Sequence, residues 1–413
     1  MPDIHSFKSY AIFFLLTFLV FSNLYSMILP GWLYWVGLIL IVVFTISKLR
    51  GFSNVSTAAF CLLVVGLLSN ILNNNVNFRL VLFTAVIFSA LIPSSYELYS
   101  FRIRLLFTLF VGFGITAIIN YYAKMVNIDY AIYTWHYYKG MDPTKLKFQG
   151  FTNNSMWLSA ACGVATIFFT YIAVRFWESR KVISFIALAF ICCSIYVTVA
   201  SASRSATGIS LGASALLLYL GSQDSRKFLQ IIIPVLIVAA IAYPMIDSVS
   251  GNMRNKQLAQ EASGHTSRDA LWNARFEEFE SSPVIGVGFG ATGLDGDVGR
   301  AETGSGWLTI LSQTGLAGAI CVLIIMSKTI IPLQELRNNR LLALYFCVFL
   351  YMCLHSIFEA YMFQGGWYLC LIFWMLVSVL AEYKVYGDFS LDMNEENLEE
   401  FDNSEVIESD ESI

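Results

Sequence analysis

Residues 175–205 read RFWESRKVISFIALAFICCSIYVTVASASRS, and this stretch decides the fold. From Ile183 to Ala200 no residue is charged. Crossing a hydrocarbon core takes about 20 mostly apolar residues in a helix, because lipid satisfies no backbone polar group. Arg175, Arg180 and Lys181 crowd one end of the run, and Arg204 stands alone beyond the other. Lysine and arginine in short connections stay on the cytoplasmic side. The run therefore reads as a helix that starts at the cytoplasm and ends outside, near Ser201.

The same reading extends in both directions. Apolar runs fall near 10–28, 31–47, 56–72, 79–93, 104–121, 155–174, 183–200, 205–221, 228–246, 305–327, 341–360 and 366–382. The first follows Lys8 with no small-residue cleavage site behind it, so it reads as a retained helix and not a removed signal peptide. Alternate connections carry Lys48 and Arg50, Arg102 and Arg104, Arg175 to Lys181, Arg226 and Lys227, then Lys328, Arg337 and Arg340. The opposite short connections carry only Arg79 and Arg204. Both termini are expected in the cytoplasm. The fold expected is all-α: a polytopic integral membrane protein with about 12 transmembrane helices. Residues 1–387 form the transmembrane domain, with external loops at 122–154 and 247–304, the larger one before helix 10.

Composition supports this. Of 413 residues, 57% are apolar and 13% charged, and the mean hydropathy is +0.65. Soluble domains are about half apolar and about a quarter charged. Disorder, nucleic-acid binding and an ordinary cytosolic enzyme are excluded. The 33 Phe and 21 Tyr suit lipid-facing helices and interfacial belts. Residues 388–413 hold 11 acidic and no basic residues, so a net charge of −4 hides +7 on the remainder. That tail reads as a disordered cytoplasmic extension. All eight cysteines sit in apolar runs, with no disulfide framework and no metal-ligand spacing.

The external loops carry most of the candidate chemistry. Residues 121–151 interleave Tyr121, Tyr122, Tyr130, Tyr133, Trp135, Tyr137 and Tyr138 with Lys124, Lys139, Lys145 and Lys147. Aromatic rings stack on the C–H faces of sugars, which makes this a saccharide platform, or else an interfacial aromatic belt. In the second loop, Thr266 or Ser267 is placed to cap a helix RDALWNARFEEFESS that stops before Pro283. Arg268, Trp272, Arg275 and Phe279 share one face of it, while Asp269, Glu277, Glu278 and Glu280 point elsewhere. The two arginines lie about 10 Å apart along the axis. Such a face is suited to lie on the membrane and hold a phosphate, or to be an ordinary amphipathic face with snorkelling arginines. Gly286-Val-Gly288-Phe-Gly290 follows a helix and not a strand, so it is no dinucleotide loop. An anion-binding nest of backbone N–H groups stays open.

Ionisable residues near the bilayer core are functional candidates. Arg204 sits in Ser201-Ala-Ser203-Arg204-Ser205, suited to an anionic headgroup or to snorkelling. His355 and Glu359 fall at i and i+4 of the eleventh span, near its outer end, as a proton-accepting pair or a buried polar pair. His265 precedes the amphipathic helix and is placed to face the same cavity.

These residues resemble the O-antigen polymerase and ligase superfamily. The likeness rests on Ser203-Arg204-Ser205, Arg268-x-x-x-Trp272 and Pro283-x-x-Gly286-x-Gly288. Gly304-Ser305 followed after nine residues by Gly315-Leu-Ala-Gly318 is similar to the family's His-[Asn/Ser/Gln]-x9-Gly-x-x-Gly motif. It is specific over about residues 195–366. It implies a GT-C-like fold and glycosyl transfer on the outer face of a bacterial inner membrane. The implied donor is a glycan on undecaprenyl pyrophosphate, with no metal, cofactor or nucleotide sugar. The product is O-antigen of lipopolysaccharide, capsule or exopolysaccharide. Arg204 and Arg268 match the family's two arginine positions, and Arg275 a looser Arg-x10-Gly spacing to Gly286. Trp272 joins them as a substrate-binding candidate. The family's ligase histidine is Gly304 here, which argues for a polymerase over a ligase. A base then comes from Glu302 or from His355 and Glu359. A chain-length regulator and a flippase are implied partners, beside membrane lipid. The alternative from another class is a 12-span transporter or flippase, disfavoured because the two halves show no repeat and the charges cluster at the external face.

Overall fold

The computed structural model describes residues 4–74, 77–130, 147–177, 179–221, 268–290, 304–387 and 389. Among them thirteen helices follow in order. They are α1 (Ile4–Phe21), α2 (Trp32–Ser47), α3 (Ser56–Leu72), α4 (Phe78–Leu91), α5 (Tyr96–Met125), α6 (Ser155–Phe176) and α7 (Lys181–Ala200), then α8 (Arg204–Gly221), α9 (Asp269–Ser281), α10 (Gly306–Ser327), α11 (Leu333–Asn338), α12 (Arg340–His355) and α13 (Tyr368–Tyr386). A short antiparallel ribbon pairs β1 (Gly51–Phe52) with β2 (Pro93–Ser94). The molecule is a helical, polytopic membrane protein. By length and composition α5, α6, α7, α10 and α13 are each able to cross a membrane, and five further apolar helices are shorter. Eleven of the twelve predicted runs coincide with a helix. The run at 228–246 lies outside the described residues, as does the acidic tail beyond Phe389.

Helix starts follow capping chemistry. Asn77, Ser95, Asn154, Ser305 and Asn339 each accept a hydrogen bond from a backbone N–H of the first turn. Ser95 starts α5 eight residues before the predicted run, which corrects the placement of Arg102. It is not a connection residue but sits in α5, buried. Its guanidinium meets Glu382 at 2.9 Å and donates to Ser378 Oγ and to the carbonyls of Ser89 and Pro93. A buried charge persists only when paired in this way. Lys48 and Glu97 pair nearby at 2.7 Å.

Two helices form the centre. Every residue of α13 from Tyr368 to Glu382 is buried, and so is every residue of α6 from Leu158 to Tyr171. α5 and α12 pack against both. Small residues in α6 permit the approach of α12: the Tyr351 ring and hydroxyl fill the space a Cβ on Gly163 would take. α2, α3 and α7 turn Ile39, Val43, Leu67, Val182 and Phe185 outward, as lipid-facing helices do.

Candidate functional site

The predicted loop helix exists as α9, Asp269–Ser281, with Arg268 at its N-cap position. Thr266, Ser267 and His265 lie outside the described residues. The helix turns its arginine face into the protein at Arg275. α9 packs against α10, and Arg275 is fully buried, with Glu278 at 2.6 Å. Glu278 does not point elsewhere, because three residues on a helix turn back to within about 60° of Arg275. Burial lowers the Arg275 pKa from the ordinary arginine value, and the Glu278 charge opposes that shift.

Below α9 the chain enters the glycine-rich turn. Gly286, Gly288 and Gly290 all have positive φ, and so does Gly315, where α10 is broken. The two breaks are one structure. A continuous helix would send Leu316 N–H to the Ser312 carbonyl and Ala317 N–H to Gln313. Instead Leu316 N donates to Pro283 O at 2.9 Å and Ala317 N to Val284 O at 3.1 Å. The freed carbonyls accept from the turn: Ser312 O from Val287 N at 2.9 Å, Gln313 O from Gly288 N at 3.3 Å. Gly286 N donates to Ser282 O, and Gly290 N to Gln313 Oε1 at 3.0 Å. The anion-nest reading is therefore overturned, since the N–H groups of Gly286, Val287, Gly288 and Gly290 are all used internally. α3 and the start of α4 hold the seam: Ser69 Oγ donates to Gln313 O, Asn73 Nδ2 to Gly286 O and Asn77 Nδ2 to Phe289 O. The Ser-x3-Asn-x3-Asn spacing from the end of the third run into the connection after it was the signal for these residues, and sequence reasoning missed it.

The start of α9 meets the start of α10 and the turn after α12. Arg268 Nη2 pairs with Glu359 Oε1 at 2.7 Å, and Nη1 donates to Gly304 O at 2.7 Å. Trp272 Nε1 reaches the same carbonyl at 3.3 Å. Phe358 lies under the guanidinium, 6.0 Å from carbon to ring centroid. Gly306 N donates to the carbonyls of Ser356 and Glu359. α12 thus stops at His355, short of the expected end of the run at residue 360, and the turn that follows caps α10. His355 and Glu359 consequently do not share a helix face, which corrects the expected i,i+4 pair. His355 is buried between the rings of Tyr351 and Tyr361, at 5.4 and 5.9 Å, and among the described residues neither of its ring nitrogens has a hydrogen-bond partner.

Arg204 opens α8 as an exposed residue just after Ala202, whose φ is +56°. α8 packs against α12, and the Arg337 guanidinium covers the Tyr219 ring at 4.8 Å. The last turn of α8 thus lies beside the start of α12, so the helices run antiparallel. Arg204 and His355 stand at the same end of the bundle, where Arg268 and Glu359 meet. Glu302 lies outside the described residues, two positions before Gly304. Gly304 has φ +69°, and a Cβ there would come within 3.1 Å of the Leu271 Cβ. Of the first loop, residues 131–146 lie outside the described residues. Its flanks fold back onto the bundle, Phe151 N donating to Asn120 Oδ1 and Asn153 Nδ2 to Ser26 Oγ. Among the described residues no group of three or more His, Cys, Asp or Glu is arranged to hold a metal ion.

Residues 189–323 match the family model described as O-antigen ligase. The match runs from within α7 to within α10. It bears out the resemblance to the O-antigen ligase and polymerase superfamily. It takes in Arg204, Arg268, Trp272, Arg275 and both glycine motifs, and it ends before His355 and Glu359. No curated protein matches the chain.

Proposed function

We propose that this membrane protein polymerises lipid-linked glycan repeat units into a surface polysaccharide on the outer face of a bacterial plasma membrane. The observation that carries the reading is the convergence of Arg268, Trp272, Gly304 and Glu359 at the bundle end that also carries Arg204. In this reading Arg204 and Arg268 hold the pyrophosphate of an undecaprenyl-linked donor, and Trp272 lies against the sugar beside it. Arg275, buried against Glu278, serves the fold of α9. A hydroxyl of the acceptor glycan attacks the donor's anomeric carbon, and undecaprenyl pyrophosphate departs with the electron pair. Fixed guanidinium donors stabilise the charge that develops there, as oxyanion-hole donors do at about 2.7–4 kcal/mol for each one removed. Glu302, Glu359 and His355 are the candidate bases. No cofactor takes part, and a flippase and a chain-length regulator act alongside.

The second reading is an O-antigen ligase, favoured by the description of the matching family. Gly304 counts against it. The family's histidine would have to adopt a left-handed backbone there and displace Leu271.

The test is the glycan profile of a deletion strain complemented with wild type, Arg204→Ala or Arg268→Ala. The expected outcome for both variants is a single repeat unit on its final anchor, with membrane insertion intact. Polymer accumulating on the lipid carrier would identify a ligase. Normal long polymer in both variants would remove the arginine assignment, and an unchanged profile in the deletion strain itself would return the transporter reading.

A further inference from the structure

Arg268 is already engaged. One terminal nitrogen binds a carboxylate oxygen of Glu359 and the other binds the Gly304 carbonyl, each at 2.7 Å. We infer that Glu359 occupies the place of a phosphate oxygen, and that an arriving donor pyrophosphate displaces it and frees it to act as the base. This rests on the reading that Arg268 holds the donor.

Three observations support the exchange. The pair is partly exposed, with side chains 19% and 15% accessible, so a ligand reaches it and the pair itself is modest in strength. Pyrophosphate offers more charge and more acceptor oxygens to a guanidinium than one carboxylate does. The Glu359 backbone is pinned, because its carbonyl accepts Gly306 N at 3.1 Å. Displacement therefore swings the side chain and leaves the carboxylate beside the donor. His355 is poorly placed for the same task, since its ring is enclosed between two tyrosines and fully buried.

The step balances without a further reactant. The acceptor oxygen forms the bond to the anomeric carbon, and the bond from that carbon to the phosphate oxygen breaks. The pyrophosphate keeps the electron pair on Arg268, and the hydroxyl proton passes to Glu359, which later loses it to water. When the lipid pyrophosphate leaves, Glu359 returns to Arg268. The acceptor is thus activated only while a donor is bound.

Purified full-length protein in detergent, titrated with undecaprenyl pyrophosphate, tests this. Removing the competing charge in Glu359→Gln should tighten binding about two- to fivefold, the size of a modest ion pair, while the same variant makes no polymer in the deletion strain. Glu359→Asp, a shorter carboxylate that reaches Arg268 less well, should also bind more tightly and keep some polymer. A side chain that only supports the fold would weaken binding when changed. Binding no tighter in both variants, or normal polymer from Glu359→Gln, overturns the exchange. If instead Arg268→Ala binds the lipid pyrophosphate as wild type does, the donor assignment to Arg268 is what fails.

Discussion

Gly286 and Gly315 face each other across the seam between the loop and α10. A Cβ on Gly315 would strike the Val284 carbonyl, and one on Gly286 would strike the backbone at Gln313. Both glycines have positive φ, and Gly315, at φ +61° and ψ −162°, holds a conformation nearly reserved for glycine, where another residue costs about 1–3 kcal/mol before any collision. Gly315→Ala should therefore lower the thermal midpoint of the purified protein by several degrees and reduce polymer, although it touches neither arginine. A midpoint equal to wild type would show that the seam relaxes freely. The glycines of both motifs were visible in the sequence, but their pairing was not. Positive φ at Gly286, 26 and 27 residues before the freed carbonyls of Ser312 and Gln313, is a tertiary fact with no local signal. The ion pair of Arg268 was equally hidden. Its partner Glu359 lies 91 residues away, and helical spacing had assigned that glutamate to His355.

Among elements, α13 is tied to α5 by Arg102 and Glu382. Removing one member of a buried pair leaves the other charged and unpaired, at a cost of about 3–5 kcal/mol. Glu382→Ala should accordingly unfold at lower temperature or denaturant. Arg102→Met combined with Glu382→Leu should recover much of that loss, because the double change leaves no buried charge. Chemical or thermal denaturation of the two variants beside wild type measures the difference. Arg102 was legible only as a topology marker, because its run of apolar residues begins after it. Ser95, one capping residue, moves the helix start far enough to bury the arginine.

At the scale of the molecule, the apolar runs were legible because lipid demands that every spanning segment bury its own backbone. What hydropathy cannot rank is centrality. α13 and α7 are both predominantly apolar, yet one lies in the core and the other faces outward. In water an amphipathic stripe would tell them apart, but in lipid both faces of an outer helix are apolar. The orientation argued from Lys and Arg asymmetry gives a separate test. A membrane-impermeant thiol reagent on intact cells should label Asn74→Cys and spare Ser179→Cys, in a background whose own cysteines are replaced. The reverse pattern would invert the topology and put Arg268 on the cytoplasmic side.

The exchange of hydrogen bonds at Gly315 has a consequence for how such proteins can be recombined. The stretch 283–290 and the break in α10 hold complementary halves of one backbone pattern, although 25 residues lie between Gly290 and Leu316. A chimera that takes its loop from one parent and its tenth helix from another would sever that pattern wherever the junction falls between them. Segments spanning Arg268 to Gly318 should be inherited as a block, with Ser69, Asn73 and Asn77 as the contacts a foreign block must find in its new host.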